Sequence, residues 1–565
     1  MTCRSDLHRL RRPGPLLAAV LVIAAPALAV SERSGVAYRE ALVALSRGDG
    51  IAAEVALRKA EAAGMDRSAL AARMGEALID QGDLRKAREW LGPARFAPAD
   101  AAHGWRMLGR LEMAEGHLPA AGRAFDQALT ITPRDSRLWV DIARLRYQGG
   151  EHTGAIAAAE QAVNFDPENV RAIELRGLMV RDSYGLPAAL PWFEGGLKRR
   201  PDDVPLLLEY AATLGDLGRA QDMLTVTRRV IALDDRNPRG FLLQAVLAAR
   251  AGQTELARHL VERAGRRALD RPGGLLLSGL LELEAGNAHL AVEQLDRLVR
   301  FQPDNAPARL LLARALAAAG NDDELVARFG AEAATAGASP YLKTLVARAH
   351  ENRGERDQAA PLLDAAARTV TVPLVLLPGA PDAGPGPAGA VRRARAMAAA
   401  GNVAGAGTVA GAALAALPGS AVTRLLAGDV QALRGDCAGA LAHYRQVAEV
   451  RMTDGLVLRV IGCLQRMGQG GAIAPFVARL RVARPRDPLL LWIEAGLTAE
   501  RGDWSAATDR LTYLSRSGLG RDAALQRDLA RAAARAKRPE VARQAGLAAS
   551  ELLPLAGDSR SPEQR

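Results

Sequence analysis

Several kinds of residue are scarce in this chain of 565 residues. Aromatic side chains make up only 4% of it, although hydrophobic residues reach 49%. This argues against large sheets, which favour β-branched and aromatic residues. Lysine is nearly absent, so arginine carries most of the positive charge. Alanine and leucine are abundant instead, which is typical of helices that pack through small contacts.

Long apolar runs are also lacking, apart from residues 16–25. That run is shorter than the roughly 20 residues that span a bilayer. It follows four arginines and precedes Pro26 and the small-residue site Ala27-Leu28-Ala29. The pattern predicts a secretory signal peptide at residues 1–29 and a periplasmic mature protein, with an uncleaved anchor as the alternative. Removing four arginines and one aspartate lowers the formal net charge from +11 to +8, which bears on solubility and does not define function.

Catalytic and cofactor-binding motifs are missing as well. His350 and Glu351 begin like HExxH, but Gly354 stands where the second histidine belongs, and the other histidines are isolated in sequence. A GxGxxG match at residues 384–389 contains Pro385 and Pro387, which have no N–H to offer a phosphate. The sequence therefore predicts no enzyme, no cofactor and no metal site.

A repeat with a period of 34 residues fills most of the chain. In residues 102–135 its slots are occupied by Trp105, Leu108, Gly109, Gly116, Ala121, Phe125, Ala128 and Pro133. The same slots return 34 residues later with Trp139, Ala143, Gly150, Ala155, Ala159, Ala162 and Pro167. This pattern resembles the tetratricopeptide-repeat family, with Glu112 in place of the usual tyrosine.

The resemblance implies an all-α fold, a right-handed superhelical solenoid of antiparallel helix pairs with about 15 repeats. Small residues such as Gly109 are expected where the two helices of a pair approach closely. Gly116 and Gly150 are expected to end first helices, where a positive φ is needed. The prolines end the second helices.

One stretch interrupts the period. Residues 369–389 combine a β-branched apolar run with a Pro/Gly-rich segment, and Pro373 argues against a central strand. We predict a linker there. It would divide an N-terminal array at residues 30–368 from a degenerate C-terminal array at residues 390–553, and a polar tail would follow at residues 554–565.

The resemblance also implies that first helices line a concave groove that holds a peptide or protein. Basic slots and one tyrosine are expected to face inward at Arg106, Arg110, Arg137, Arg144, Arg171, Arg181 and Tyr147. Apolar slots follow at Leu242, Leu276 and Leu280. A groove that is basic at one end would suit an acidic partner, because arginine binds carboxylates through two hydrogen bonds. The alternative is that arginine is simply the common polar residue of this chain.

These observations predict a non-catalytic periplasmic scaffold or adaptor. The resemblance to exported arrays suggests envelope assembly, or the export of exopolysaccharide or surface proteins. The alternative is a carbohydrate-binding accessory protein of a polysaccharide export machine, which would need aromatic residues in the groove. Export argues against a nucleic-acid partner.

Two cysteines, Cys437 and Cys463, could meet after export. They are expected on adjacent antiparallel helices with an offset of about five residues, or about 7.5 Å along the axis. That offset exceeds the usual limit for a disulfide. We therefore predict two free, mostly buried thiols.

Overall fold

The computed structural model describes residues 33–335, 338–367, 386–520 and 522–552. The predicted signal peptide, most of the predicted linker and the polar tail lie outside these residues. All regular structure in the described residues is helical, which confirms the all-α prediction. In this part of the chain, no helix combines the length and the apolar character that crossing a bilayer requires.

The chain divides into two units at residues 172 and 173. The first unit contains α1 at residues 33–46, α2 (Gly50–Ala62), α3 (Arg67–Gln81), α4 (Leu84–Leu91), α5 (Ala101–Ala114), α6 (Leu118–Ile131), α7 (Ser136–Gln148) and α8 (His152–Phe165). The boundary falls within α9 (Val170–Tyr184).

The second unit contains the remaining helices. They are α10 (Leu186–Arg199), α11 (Val204–Asp216), α12 (Ala220–Leu233), α13 (Pro238–Arg250), α14 (Thr254–Ala264), α15 (Arg266–Leu269), α16 (Pro272–Glu284), α17 (Ala288–Phe301), α18 (Ala306–Ala318), α19 (Asp322–Ala333), α20 (Pro340–Asn352), α21 (Arg356–Ala367), α22 (Gly386–Ala399), α23 (Val403–Ala416), α24 (Ala421–Leu433), α25 (Cys437–Val450), α26 (Asp454–Arg466), α27 (Ile473–Ala483), α28 (Pro488–Glu500), α29 (Trp504–Leu514), α30 (Ala523–Arg535) and α31 (Pro539–Leu552).

Helix pairs are the repeating element of both units. The described residues form fifteen such pairs, with the short α15 lying between the seventh and the eighth. Gly116 and Gly150 have φ values of +83° and +81° and follow the first helices α5 and α7. A residue with a side chain would be strained in this conformation, so glycine sets the turn within each of these pairs.

Small residues allow the two helices of a pair to pack closely, as the pattern predicted. In the pair of α5 and α6, a Cβ atom added to Gly109 would lie 2.3 Å from a ring carbon of Phe125. Phe125 is fully buried between Ala121 and Ala128, which are buried too. The aromatic ring therefore occupies the space that the glycine leaves open.

The array resumes after the predicted linker at α22. This helix begins at Gly386, so the last four residues of the predicted linker, 386–389, are helical. The GxGxxG match therefore ends inside the first turn of a helix.

Two distant segments meet within the second unit. The hydroxyl of Ser183 donates to the carbonyl of Val450 at 3.0 Å, across 267 residues of sequence. A Cβ atom added to Gly185, whose φ is +94°, would lie 2.6 Å from the Cβ atom of Ala483 at the end of α27. The end of α9 and the turn that follows it thus pack against the ends of α25 and α27, which belong to two successive helix pairs much further along the chain.

Candidate binding surface

The first helices of successive pairs lie close to one another. α3 contacts α5 and α5 contacts α7 in the first unit, and α11 contacts α13, α18 contacts α20 and α22 contacts α24 in the second. Successive second helices do not contact each other to a similar extent within the described ranges. In a curved stack the inner elements are the closer ones, so the first helices line a concave side. We call this side the inner face of each unit.

Arg106 on α5 reaches the next repeat instead of solvent. Its Nε atom donates to Oδ2 of Asp141 on α7 at 2.7 Å, and Arg144 lies 3.5 Å from the other carboxylate oxygen. The Asp141 side chain is only 3% exposed. One buried carboxylate therefore pairs with two arginines that were expected to bind a partner, and balances one of their two positive charges.

Arg110 is paired in the opposite direction, with Asp80 of α3 at 3.4 Å. The inner face of the first unit consequently carries matched sets of charges, with Arg73, Arg106, Arg110 and Arg144 facing Glu76, Asp80, Asp100 and Asp141. This corrects the prediction of a basic groove here. The sequence pattern placed the arginines, and the acidic residues of neighbouring repeats balance them.

A second polar network connects α1, α3 and α5 on the same face. Asp100 accepts hydrogen bonds from Tyr38 and Arg73, both at 3.1 Å. Nε2 of His103 lies 2.9 Å from Oε2 of Glu76, and Arg73 lies 3.4 Å from the same oxygen. Burial disfavours the ionised carboxylate, but the hydrogen bond with His103 and the charge of Arg73 outweigh burial and lower the pKa of Glu76 to about 2.

Acidification is expected to destabilise the first unit as His103 titrates. Burial lowers the pKa of His103 below its ordinary value of 6.5, although Glu76 opposes this. The folded state then binds fewer protons than the unfolded state, so the free energy of unfolding falls as the pH drops through about 6.5. The lowered pKa of Glu76 stabilises the folded state above pH 4.5, and this stabilisation is lost as the pH falls towards 2. That range lies below the one in which His103 titrates.

The measurement is the melting temperature of the full chain between about pH 5 and pH 7.5, the range in which histidines titrate. We expect His103→Gln to flatten this dependence. The exposed His289 is the matched control, and His289→Gln should leave the slope as it is. An equal slope in wild type and His103→Gln would contradict the assignment.

Arg181, on the second unit, is also neutralised by the next repeat. Its Nη1 atom lies 3.3 Å from one oxygen of Glu209 on α11, and Arg239 on α13 lies 2.6 Å from the other. The Glu209 side chain is 12% exposed. As in the first unit, a shielded carboxylate links first helices of successive repeats.

The remaining predicted groove residues differ in exposure. Arg137, Arg144, Tyr147 and Leu276 are exposed, whereas Arg106, Arg110, Arg171, Arg181, Leu242 and Leu280 are half-buried. Tyr147 packs edge-on against His152, with ring centroids 5.2 Å apart. Leu242 packs against the buried cluster around Ala245 and Ala257. The exposed members are therefore the ones that a partner can reach without unfolding a repeat.

An acidic group with a histidine lies at the turn after α5. Glu112, Glu115 and His117 are close enough together to hold one ion. Arg88 of α4, however, donates to both carboxylates, and Nδ1 of His117 lies 3.0 Å from Glu112. The guanidinium thus occupies the position of a cation. His117 was predicted to be isolated, but Glu112 and Glu115 precede it by five and two residues.

A polar cluster on the inner face of the second unit was not predicted from the sequence. Arg459 of α26 binds both oxygens of Asp429 on α24, at 2.6 and 2.8 Å. The hydroxyl of Tyr444 donates to the same carboxylate at 2.9 Å, and burial together with Asp429 raises the pKa of Tyr444. Arg395 of α22 lies nearby and makes no hydrogen bond or ion pair with any described residue. The available signal was charged residues in three successive first helices.

Cys437 and Cys463 are free and buried, as predicted, and their side chains lie closer together than the offset between their helices suggested. Cys437 and Cys463 belong to the same buried cluster. Burial and the hydrogen bond with Cys437 raise the pKa of Cys463 to about 12. The two thiols meet because both side chains point into one core, which offsets the stagger between their helices.

Both thiols are expected to resist alkylation in the folded protein. Because the pKa of Cys463 is raised, its reactive thiolate is rare at pH 8, and burial hinders the reagent. We expect iodoacetamide to react at least about 100-fold more slowly in native buffer than in guanidinium chloride. Mass spectrometry of labelled peptides gives both rates. Rapid native labelling, or a change of intact mass on reduction, would contradict the buried, reduced pair.

Comparison with known proteins gives one matching family model. The model described as tetratricopeptide repeat matches residues 72–136 and 276–341. A curated relative is the cytochrome c-type biogenesis protein CycH of Pseudomonas aeruginosa, which is 28% identical over 132 residues. This match covers 23% of the present chain and 32% of the relative, so the chain spans about a third of the relative's length.

Three solved structures that match this chain have low sequence identity and low TM-scores. A tetratricopeptide repeat protein from Parabacteroides merdae is 16% identical, with a TM-score of 0.34, covering 50% of this chain and 99% of its own. The Cut9–Hcn1 hetero-tetramer of the APC/C gives 17% identity and a TM-score of 0.35, covering 94% of this chain and 91% of the matched one. PilW, a type IV pilus biogenesis factor, is 18% identical with a TM-score of 0.32, and the match covers 37% of this chain and 98% of the PilW chain.

Proposed function

This chain is a tetratricopeptide-repeat protein, and from that premise we propose that it is a non-catalytic scaffold that binds protein partners on the inner faces of its repeats. The observation that carries the proposal is that successive first helices line these faces. In the first unit, Arg137, Arg144 and Tyr147 are exposed on one such helix. Exposed arginine and tyrosine are residue types that commonly anchor protein interfaces.

We also propose that the scaffold is exported and acts in the assembly of the cell envelope. Residues 1–29 support export, because their basic, apolar and small-residue segments follow the order of a signal peptide. The relative named for cytochrome c-type biogenesis supports a role in assembly. Export of exopolysaccharide or surface proteins is the other process to be tested.

Crosslinking of the tagged full chain in envelope fractions, followed by mass spectrometry of captured proteins, tests the binding role. We expect the double variant Arg137→Glu, Arg144→Gln to lose its main partner while it keeps the wild-type melting temperature, because glutamine places no second carboxylate beside Asp141. The matched control is Arg85→Glu, Arg123→Gln, on the second helices α4 and α6, where both arginines are exposed. Equal capture by wild type and the inner-face variant would refute the proposed surface.

Export is tested separately by cell fractionation and N-terminal sequencing of the mature protein. Cleavage after Ala29 predicts a mature chain that begins at Val30 and is recovered from the periplasm. Recovery of the chain from the cytoplasm with residues 1–29 intact would remove the envelope role, and would leave the scaffold role to the crosslinking result.

A further inference from the structure

Arg395 is the unusual charge on the inner face of the second unit. Its Nε atom is buried and has no hydrogen-bond partner, and no other described residue pairs with its guanidinium group. In the inner-face pairs described above, each arginine shares a carboxylate with a neighbouring repeat. Buried polar groups in native proteins are normally satisfied, so an unpaired one calls for an explanation.

None of the described neighbours of Arg395 places a carboxylate within hydrogen-bond distance of it. Both oxygens of Asp429 are bound by Arg459, and one of them also accepts from Tyr444. Burial and the charge of Arg459 lower the pKa of Arg395. The carboxylates of Asp429 and the exposed Asp304 raise this pKa, although neither lies within hydrogen-bond distance of the guanidinium group. The two arginines and one carboxylate leave an excess of one positive charge.

Exposed apolar side chains lie on α24 and α26, the two first helices that follow α22. Val422 and Leu433 lie seven residues before and four residues after Asp429, so they share its side of α24. They are 41% and 39% exposed, and Leu458, next to Arg459 on α26, is 44% exposed. A cation without an ion-pair partner, on a face that also exposes aliphatic side chains, is complementary to a carboxylate on an otherwise apolar segment.

We propose that Arg395 anchors a binding site for an acidic side chain in an extended, mainly aliphatic segment of a protein partner. The guanidinium forms two hydrogen bonds with the carboxylate, and Val422, Leu433 and Leu458 contact the flanking side chains. Arg459 and Asp429 hold each other in place and keep Asp429 from pairing with Arg395. This inference rests on the proposed scaffold role and specifies what one inner face binds.

A paired peptide experiment on the full chain tests the site. The probe is a fluorescent, C-terminally amidated heptapeptide pool with glutamate at the centre, leucine on either side of it and a mixture of alanine, valine and leucine elsewhere. The second pool has glutamine at the centre. We expect wild type to bind the glutamate pool at least tenfold more tightly in fluorescence anisotropy, and Arg395→Met to bind both pools equally.

The matched control is Arg393→Met, because residue 393 lies about 200° away around the same helix. It should preserve the tenfold preference. Arg395→Met should also melt at the wild-type temperature or above it, since it removes an unpaired buried donor. Equal binding of both pools by wild type, a retained preference in Arg395→Met, or a lower melting temperature of that variant would each overturn the proposal.

A third pool with central glutamine and a free carboxyl terminus separates the two sources of a carboxylate. Tighter binding of this pool alone would overturn the assignment to an acidic side chain. The peptide result is independent of the envelope crosslinking. If crosslinking captures no partner but the chain still prefers the glutamate pool, only the proposed cellular role is refuted. If partners are captured but the chain shows no preference for the glutamate pool, only the site at Arg395 is refuted.

Discussion

Replacing Gly109 by alanine is expected to destabilise the first unit by about 2–3 kcal/mol, the range for overpacking a well-packed core. The added methyl carbon would lie 2.3 and 2.4 Å from two ring carbons of Phe125. The ring is 1% exposed and enclosed by its own repeat, so it can move only if α5 and α6 separate. The expected observation is a lower melting temperature of the full chain, with an early loss of helical signal in circular dichroism.

The matched control is Gly411→Ala in α23. Gly411 is also a glycine within a helix, but a Cβ atom at its position would have no heavy atom within 4 Å. Alanine should therefore be neutral or stabilise the helix by up to about 1 kcal/mol, because glycine has the lower helix propensity. If both substitutions behaved alike, the close approach of α5 and α6 would not be what the glycine provides.

Reversing the charge of Arg106 is expected to have the largest effect of the inner-face substitutions in the first unit. Arg106→Glu would remove the partner of Asp141 at 2.7 Å, and would place a second carboxylate beside a side chain that is 3% exposed. Breaking a buried ion pair from one side destabilises a protein by about 3–5 kcal/mol. We expect a large drop in the melting temperature, and partial recovery in the double variant Arg106→Glu, Asp141→Arg.

Arg137→Glu is the control for this prediction. Arg137 is exposed on α7, the same helix as Asp141, and substitutions at such positions usually change stability by less than about 0.5 kcal/mol. Equal melting temperatures of the Arg106 and Arg137 variants would show that Asp141 is not held by Arg106. Binding studies should accordingly use Arg137 and Arg144, since loss of binding by an Arg106 variant would report unfolding.

The resemblance to tetratricopeptide repeats predicted the parts of the fold that depend on periodicity. Gly109 and Phe125 occupy complementary slots, and Gly116 and Gly150 end first helices with a positive φ, as expected. Such features are local, because each depends on a few residues within one helix pair. The Pro/Gly-rich composition predicted a linker that ends at residue 389, whereas helix α22 already begins at Gly386.

The candidate site was predicted less well, because ion pairing depends on how neighbouring helices are staggered. Arg106 pairs forward with Asp141, 35 residues later, whereas Arg110, one helical turn away, pairs back with Asp80, 30 residues earlier. Both arginines were correctly assigned to first helices. Their partners could not be inferred from a period of 34 residues, which offers each side chain acidic residues on two neighbouring helices.

The amino-acid sequence by itself determined that this protein is a series of helix pairs and which residues lie at their close contacts, since those follow from the spacing of small and apolar residues along one chain. Only the tertiary structure decided which charged side chains form ion pairs within the protein and which have no such partner. Arg106 and Arg459 are neutralised by carboxylates of adjacent repeats, and Arg395 is not. That difference arises from distances of a few ångströms between side chains of different helices, on which the strength of an ion pair depends.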